Sequence, residues 1–270
     1  MSSRSITIGQ YVPGDSFIHY LDPRAKLLAL FLFIASIFTI DDMRAFIPLI
    51  LLVLILYAIA GVPYRFLLRG IRPIFYIAGL TLVLHFFFTA GGEVWFRYGV
   101  ITVEAYGVHQ GVFTVLRLLL LVFVTVLATL TTTPLSLTGA MEYFLRPLGY
   151  LRVPVSDLAM ILTIALRFIP TLMEESERIV KAQMARGANF GSGNILRRIR
   201  LLVPVIVPLF VSAFRRADEL AVAMDSRCYR VGRRRTRMRE FRFQRRDYVA
   251  VAFSLLLLAG IMGVRFLGGG

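Results

Sequence analysis

Lysine is almost absent from this chain of 270 residues: of its 31 basic residues, only Lys26 and Lys181 are lysines. They follow Ala25 and Val180, so neither completes the Gly-Lys-Ser/Thr loop that cradles nucleotide phosphates. If ATP drives this protein, another chain hydrolyses it. Cysteine is scarcer still, and the single Cys228 excludes an internal disulfide and any thiolate metal cluster. The three histidines, His19, His85 and His109, lie in separate segments without the spacing of metal ligands. His85 reads as hydrogen-bonded within a helix bundle. Neither Gly-x-Ser-x-Gly nor His-Glu-x-x-His occurs. The residues therefore supply no catalytic, cofactor or metal site. A lipid- or prenyl-modifying membrane enzyme remains as an alternative class, but it predicts interfacial carboxylate or histidine clusters, which the chain lacks. A membrane scaffold is the other alternative.

What is abundant is apolar surface and arginine. Hydrophobic residues make up 57% and mean hydropathy is +0.73, which marks a membrane protein. The net charge is nonetheless +15, and it is concentrated. Residues 178–246 hold 18 basic and four acidic residues, a net of +14. Such a patch can bind nucleic acid. Flanked by lipid-phase segments, it points to anionic headgroups and a protein partner instead, with no nucleic acid. The polar start has no apolar core ending in a small-residue cleavage site, so no cleaved signal peptide is expected.

Five spans are expected, at 25–40, 46–62, 74–89, 111–132 and 248–266, the first of them short for a full crossing. Asp22-Pro23 looks like a helix start, with an N-cap followed by proline at the first helical position. The arm counted through Lys26, with three basic against two acidic residues, and the 63–72 loop (Arg65, Arg69, Arg72) are basic, whereas the 41–44 and 91–110 loops are net acidic. By the positive-inside rule the N-terminus, the 63–72 loop and 134–246 face the cytoplasm, and the C-terminus lies outside. The 91–110 loop alternates in character and has room for a small hairpin. Arg117 interrupts the fourth span, where it either snorkels to the outer interface or finds a partner.

The 134–246 stretch predicts three cytoplasmic-side amphipathic helices, at 134–149, 155–187 and 194–229. Its apolar runs, 158–170 and 201–214, fall short of the ~20 residues a span needs. Leu137, Met141, Phe144, Leu145 and Leu148 share one helical face, and Ile169, Leu172, Met173, Ser176, Ile179 and Val180 another. Glu174–Arg178 and Glu177–Lys181 are favourable i,i+4 pairs. Pro170, Pro204 and Pro208 should kink the two long helices, and Arg167 is placed to cap the carbonyl that Pro170 frees. Gly191-Ser192-Gly193 separates them. Each long helix ends in an arginine triplet, Ala185-Arg186-Gly187 and Ser226-Arg227-Cys228. As helix C-termini these are ordinary capping sequences. Their pairing on the wet side marks them as contact tips. The organisation is thus an all-α membrane protein in three parts: arm and four spans (1–133), amphipathic region (134–232), and basic linker with the last span (233–270).

These features together resemble the transmembrane coupling subunit, or T component, of energy-coupling factor ABC transporters. Ser16-Phe17-Ile18-His19-Tyr20-Leu21-Asp22-Pro23-Arg24-Ala25-Lys26 is similar to the family's opening signature, Thr131-Thr132-Thr133-Pro134 to its exit from the fourth span, and Arg167-Phe168-Ile169-Pro170 to its Arg-Phe-x-Pro element. Ala185-Arg186-Gly187 matches the first family arginine motif; Ser226-Arg227-Cys228 matches the second in its central arginine, with departing flanks. The resemblance implies a multi-pass protein of the prokaryotic inner membrane with no enzymatic activity or cofactor of its own. It implies two ABC ATPase subunits of the EcfA type as partners at the two triplets. It also implies a substrate-binding S component, for a vitamin or transition-metal ion, on the apolar runs, with Leu158, Leu162, Leu202, Leu209 and Phe210 as contact candidates. Asp22, Pro23, Arg24, Arg167 and Pro170 take structural roles.

Overall fold

Asp22 and Pro23 start the first helix as the sequence predicts. In the computed structural model the Asp22 carboxylate accepts the main-chain N–H of Arg24 at 2.9 Å, and Pro23 opens α1, Pro23–Thr39. Proline costs nothing there because its missing N–H would have had no helical partner. The structure describes residues 11–89, 91, 94–98, 101–151, 153–188, 195–230 and 243–268.

A 3-10 turn, Met43–Ala45, capped by the Asp42 carboxylate, leads into α2, Phe46–Ala60. Then come α3, Tyr64–Phe88, and the antiparallel strand pair β1, Val94–Tyr98, and β2, Ile101–Glu104. This pair is the expected small hairpin, with Phe96 opposite Val103 and an irregularity between Val94 and Phe96. It is followed by α4, Ala105–Thr131; α5, Pro134–Leu145, with a 3-10 turn at Arg146–Leu151; α6, Val155–Ala185; α7, Ile195–Ser226; and α8, Arg245–Gly268. The described residues are thus helical apart from one strand pair. Three limits differ from expectation: residues 64–72, expected as a loop, are the first turns of α3, α4 begins at Ala105, before Gly111, and α8 at Arg245, before Tyr248. Basic charge marks orientation, not helix boundaries. The Gly191-Ser192-Gly193 break and most of the basic linker lie outside the described residues.

The chain forms two compact units. One is built on Gly9–Ala140 and Arg239–Gly270, the other on Met141–Met238. The first unit has a core of Phe33 and Ile37 from α1, Phe46, Leu49 and Val53 from α2, and Phe113, Leu120 and Val124 from α4. Phe46 and Phe113 meet edge to face at 5.0 Å. At one end of this unit an Arg117 Nη donates to the Ile40 carbonyl at 2.9 Å. The guanidinium lies over the Phe113 and Phe38 rings, at 4.8 and 5.7 Å. Arg117 is therefore partnered within the bundle, and of the two expectations it is the partner, not snorkelling, that holds. Asp41 and Arg265 pair near the ends of α1 and α8 at 2.7 Å.

Four helical stretches are long and apolar enough to cross a membrane: Met43–Ala60, Ala105–Thr131, Val155–Ala185 and Arg245–Arg265; Ile74–Phe88 is a shorter apolar helix. Three of these match expected spans. The remaining one, α6, is the expected 155–187 amphipathic helix: its apolar run of 158–170 is short, but the helix that carries it has 31 residues. Pro170 removes a single helical bond from a helix of 31 residues, which continues through it.

Candidate functional site: two matched helix tips

The second unit carries the residues singled out for function. Its helices α6 and α7 have 31 and 32 residues, which at 1.5 Å per residue makes each roughly 45–50 Å long. Charged Glu174, Glu177, Arg178 and Lys181 are exposed, while Leu172, Met173, Ile179 and Val180 are partly covered, as the stripe predicts. The expected pairs Glu174–Arg178 and Glu177–Lys181 do not close to ion-pair distance among the described residues. Exposed pairs of this kind gain too little to hold two long side chains still.

Both helices end in the same way. At the end of α6 the N–H of Gly187 donates to the Met184 carbonyl and that of Ala188 to the Gln183 carbonyl, each at 3.0 Å. At the end of α7 the N–H of Cys228 donates to Asp225 at 2.9 Å and that of Tyr229 to Met224 at 3.0 Å. This is one double-bonded C-terminal motif made twice, with a left-handed residue after the cap. Gly187 has φ 89° and Cys228 φ 56°. Arg186 and Arg227 occupy the cap position in each, so their side chains leave from equivalent points. All six residues of the two triplets are exposed. Neither guanidinium has a hydrogen bond or ion pair among the described residues, although each stands where a helix C-terminus presents carbonyl density. A planar five-donor fork is left available to an external carboxylate or carbonyl.

The apolar candidates divide. Leu158, Leu162, Leu202 and Phe210 are exposed, Phe210 at 60%; Leu209 is only partly so. With Ile161, Val203, Ile206, Val207, Val211 and Phe214 the exposed residues form uncovered apolar faces on both helices. A groove of about 370 Å³ runs between α6 and α7, lined by Ile164, Phe168 and Leu172 from α6 and by Arg216, Ala217 and Leu220 from α7. Arg167 is exposed and makes no hydrogen bond among the described residues, so it does not cap the Leu166 carbonyl freed by Pro170. Helical side chains lean toward the N-terminus, away from that carbonyl.

The structure also brings together residues that the sequence alone does not connect. Asp247 on α8 accepts the main-chain N–H of Asp22, and Lys26 donates to the Thr131 carbonyl. Gly107 and Gly111 of α4 pack against α3 at His85. The last has a sequence signal, the G-x-x-x-G of closely packed membrane helices. No ligand-forming group of three or more His, Cys, Asp or Glu occurs among the described residues.

A family model described as a cobalt transport protein matches residues 14–238. The chain is 48% identical to the energy-coupling factor transporter transmembrane protein EcfT of Thermosediminibacter oceani, over 98% of this chain and 99% of that one. It is 48% identical to the protein of the same name from Brevibacillus brevis, over 94% and 96%. To that of Bacillus subtilis it is 45% identical, over 96% and 97%.

Proposed function

Because this chain belongs to the family of energy-coupling factor transmembrane T components, we propose that it transmits ATP-driven movement of two ATPase subunits to a separate substrate-binding S component. It is a multi-pass membrane protein and a non-catalytic transport subunit, which removes the lipid-modifying enzyme as an alternative.

In the proposed mechanism Arg186 and Arg227 each enter a groove on one ATPase. The small neighbours Ala185 and Gly187, and Ser226 and Cys228, allow close approach. Closure of the ATPases moves the tips, and α6 and α7 carry that movement to their apolar faces. The S component rests there on Leu158, Leu162, Leu202, Leu209 and Phe210, and is tilted to release a vitamin or transition-metal ion inward. The N-terminus and residues 134–246 lie in the cytoplasm and the C-terminus outside, a placement supported by the concentration of arginine. Residues 1–133 and 233–270 form the bundle parts, and 134–232 the coupling region.

The observation that carries this reading is the duplication of one tip geometry, each copy presenting an arginine with no hydrogen bond or ion pair among the described residues. Two similar partners need two similar tips. The test is Arg186→Ala and Arg227→Ala in the assembled transporter. Each should reduce co-purification of the ATPases or leave hydrolysis without uptake, with the melting temperature little changed. Intact ATPase binding and wild-type uptake in both variants would overturn the proposal.

A further inference from the structure

The chain leaves the bundle unit after Ala140 and returns to it at Arg239. Whatever moves the coupling region pulls on these two connections, so the places where each is rooted matter. The first root is the end of α4. There the Thr131 carbonyl accepts from the Lys26 ammonium at 2.8 Å, and the same ammonium reaches the His19 carbonyl at 3.2 Å. The second root is the start of α8. Asp247, only 2% exposed, accepts the N–H of Gln244 at 2.7 Å with one carboxylate oxygen. With the other it accepts the N–H of Asp22 at 2.8 Å. One carboxylate thus caps the starts of α8 and α1 together, supplying acceptors that both helix N-termini lack.

Both roots are held by the same short piece of chain, the turn that opens α1. That turn is itself fixed. The His19 Nε2 faces the Val12 carbonyl at 3.0 Å, which can only accept, so Nε2 carries the proton and Nδ1 accepts from the Ser16 hydroxyl at 2.7 Å. The N–H of Val12 donates to the Leu130 carbonyl at 2.9 Å, one residue from the first root. Ile18 is buried with Ala60 and Leu127. Thr133 caps the start of α5 through Ser136, so little slack separates α4 from α5.

We infer that Lys26 and Asp247 are positioning residues for energy coupling, rooting both connections on one turn so that movement imposed at the tips is not absorbed by fraying of α4 and α8. This rests on the coupling reading above. Helix ends fray readily unless tied, and two independent roots would let the coupling region drift; a shared root makes the two connections yield or hold as one.

The test uses the assembled transporter, with Cys228 kept, carrying ketone-reactive nitroxide labels on p-acetylphenylalanine introduced at Asp42 in the bundle unit and at Leu151 in the coupling unit. Label separation is measured with and without MgATP and vanadate. The expected result is a discrete ATP-dependent shift, lost in Lys26→Met and Asp247→Asn while ATP hydrolysis persists, and restored in Lys26→Arg, which keeps a cationic donor. Retention of the discrete shift in both variants overturns the proposal. So does its loss only in step with failed assembly of the complex. Arg186→Ala, run alongside, separates the two ideas. If it too keeps the shift, the coupling reading itself fails; if it alone loses the shift, only the shared root fails.

Discussion

Gly187 and Cys228 occupy the same position, one residue beyond the arginine of each tip, and both are left-handed, at φ 89° and 56°. Glycine adopts this backbone freely, whereas a side chain there costs roughly 1–2 kcal/mol. A Cβ at Gly187 would meet nothing within 4 Å, so the cost of replacing it is purely conformational. Cys228→Gly should therefore make the end of α7 more stable, and Gly187→Val should make the end of α6 less stable, each by about 1 kcal/mol. Hydrogen exchange at the Tyr229 and Ala188 amides measures both, and opposite signs are expected.

Arg117 ties α4 to the end of α1 through the Ile40 carbonyl, and Ile40 is buried. Its Nε is buried without a hydrogen bond, so the side chain is not fully satisfied. Two effects oppose each other in Arg117→Leu: relief of a desolvated cation, and an orphaned carbonyl at a helix end. The cation already rests on two aromatic faces, which reduces the relief. The orphaned carbonyl should win, at about 1–2 kcal/mol of destabilisation. Arg117→Lys, which can still donate, should lose less. The midpoint of unfolding in mixed detergent ranks the three proteins.

The close approach of α3 and α4 depends on Gly107. A Cβ there would stand 2.7 Å from the His85 carbonyl oxygen and 2.8 Å from that of Thr89. Both are main chain and cannot swing aside. At Gly111 the nearest atom is the His85 Cβ at 3.1 Å, a milder conflict. Overpacking of this kind costs about 1–3 kcal/mol. Thermal stability should fall in the order wild type, Gly111→Ala, Gly107→Ala, and the reverse order for the two variants would show that the helices separate easily.

Local signals are legible in the sequence and distant ones are not. Asp22-Pro23 announces a helix start because capping uses neighbours: the Asp22 carboxylate reaches only to Arg24. The ends of α6 and α7 fall within three residues of expectation because an arginine, a small residue and a following break are local facts as well. Asp247 gives no such sign. Its partner lies 225 positions away and is a main-chain N–H, which carries no residue identity. The helix start it caps begins at Gln244, outside the usual N-cap types. Arg117 is visible as an anomaly, but its partner, another main-chain group, is not. Cys228 hides a left-handed cap because the sequence rule looks for glycine. The length of α6 is legible although Pro170 lies inside it, because a long helix carries one missing bond.

The apolar faces of α6 and α7 offer the sharpest test of where the S component rests. Leu209 is only partly exposed, so a charge there perturbs packing and docking together. Phe210, next to it, is 60% exposed and stacks on Phe214 at 6.2 Å, within a face that nothing among the described residues covers. Val205, 7% exposed, reports packing alone. Phe210→Asp should leave the melting temperature and ATPase co-purification near wild type while the S component is lost from the complex by about tenfold, since a desolvated charge at an apolar contact costs at least a factor of that size. Val205→Asp should lower the melting temperature and reduce all partners alike. If Phe210→Asp behaves as Val205→Asp does, the face packs within the transporter subunit and the S component docks elsewhere. If it changes nothing, the exposed face is covered by lipid.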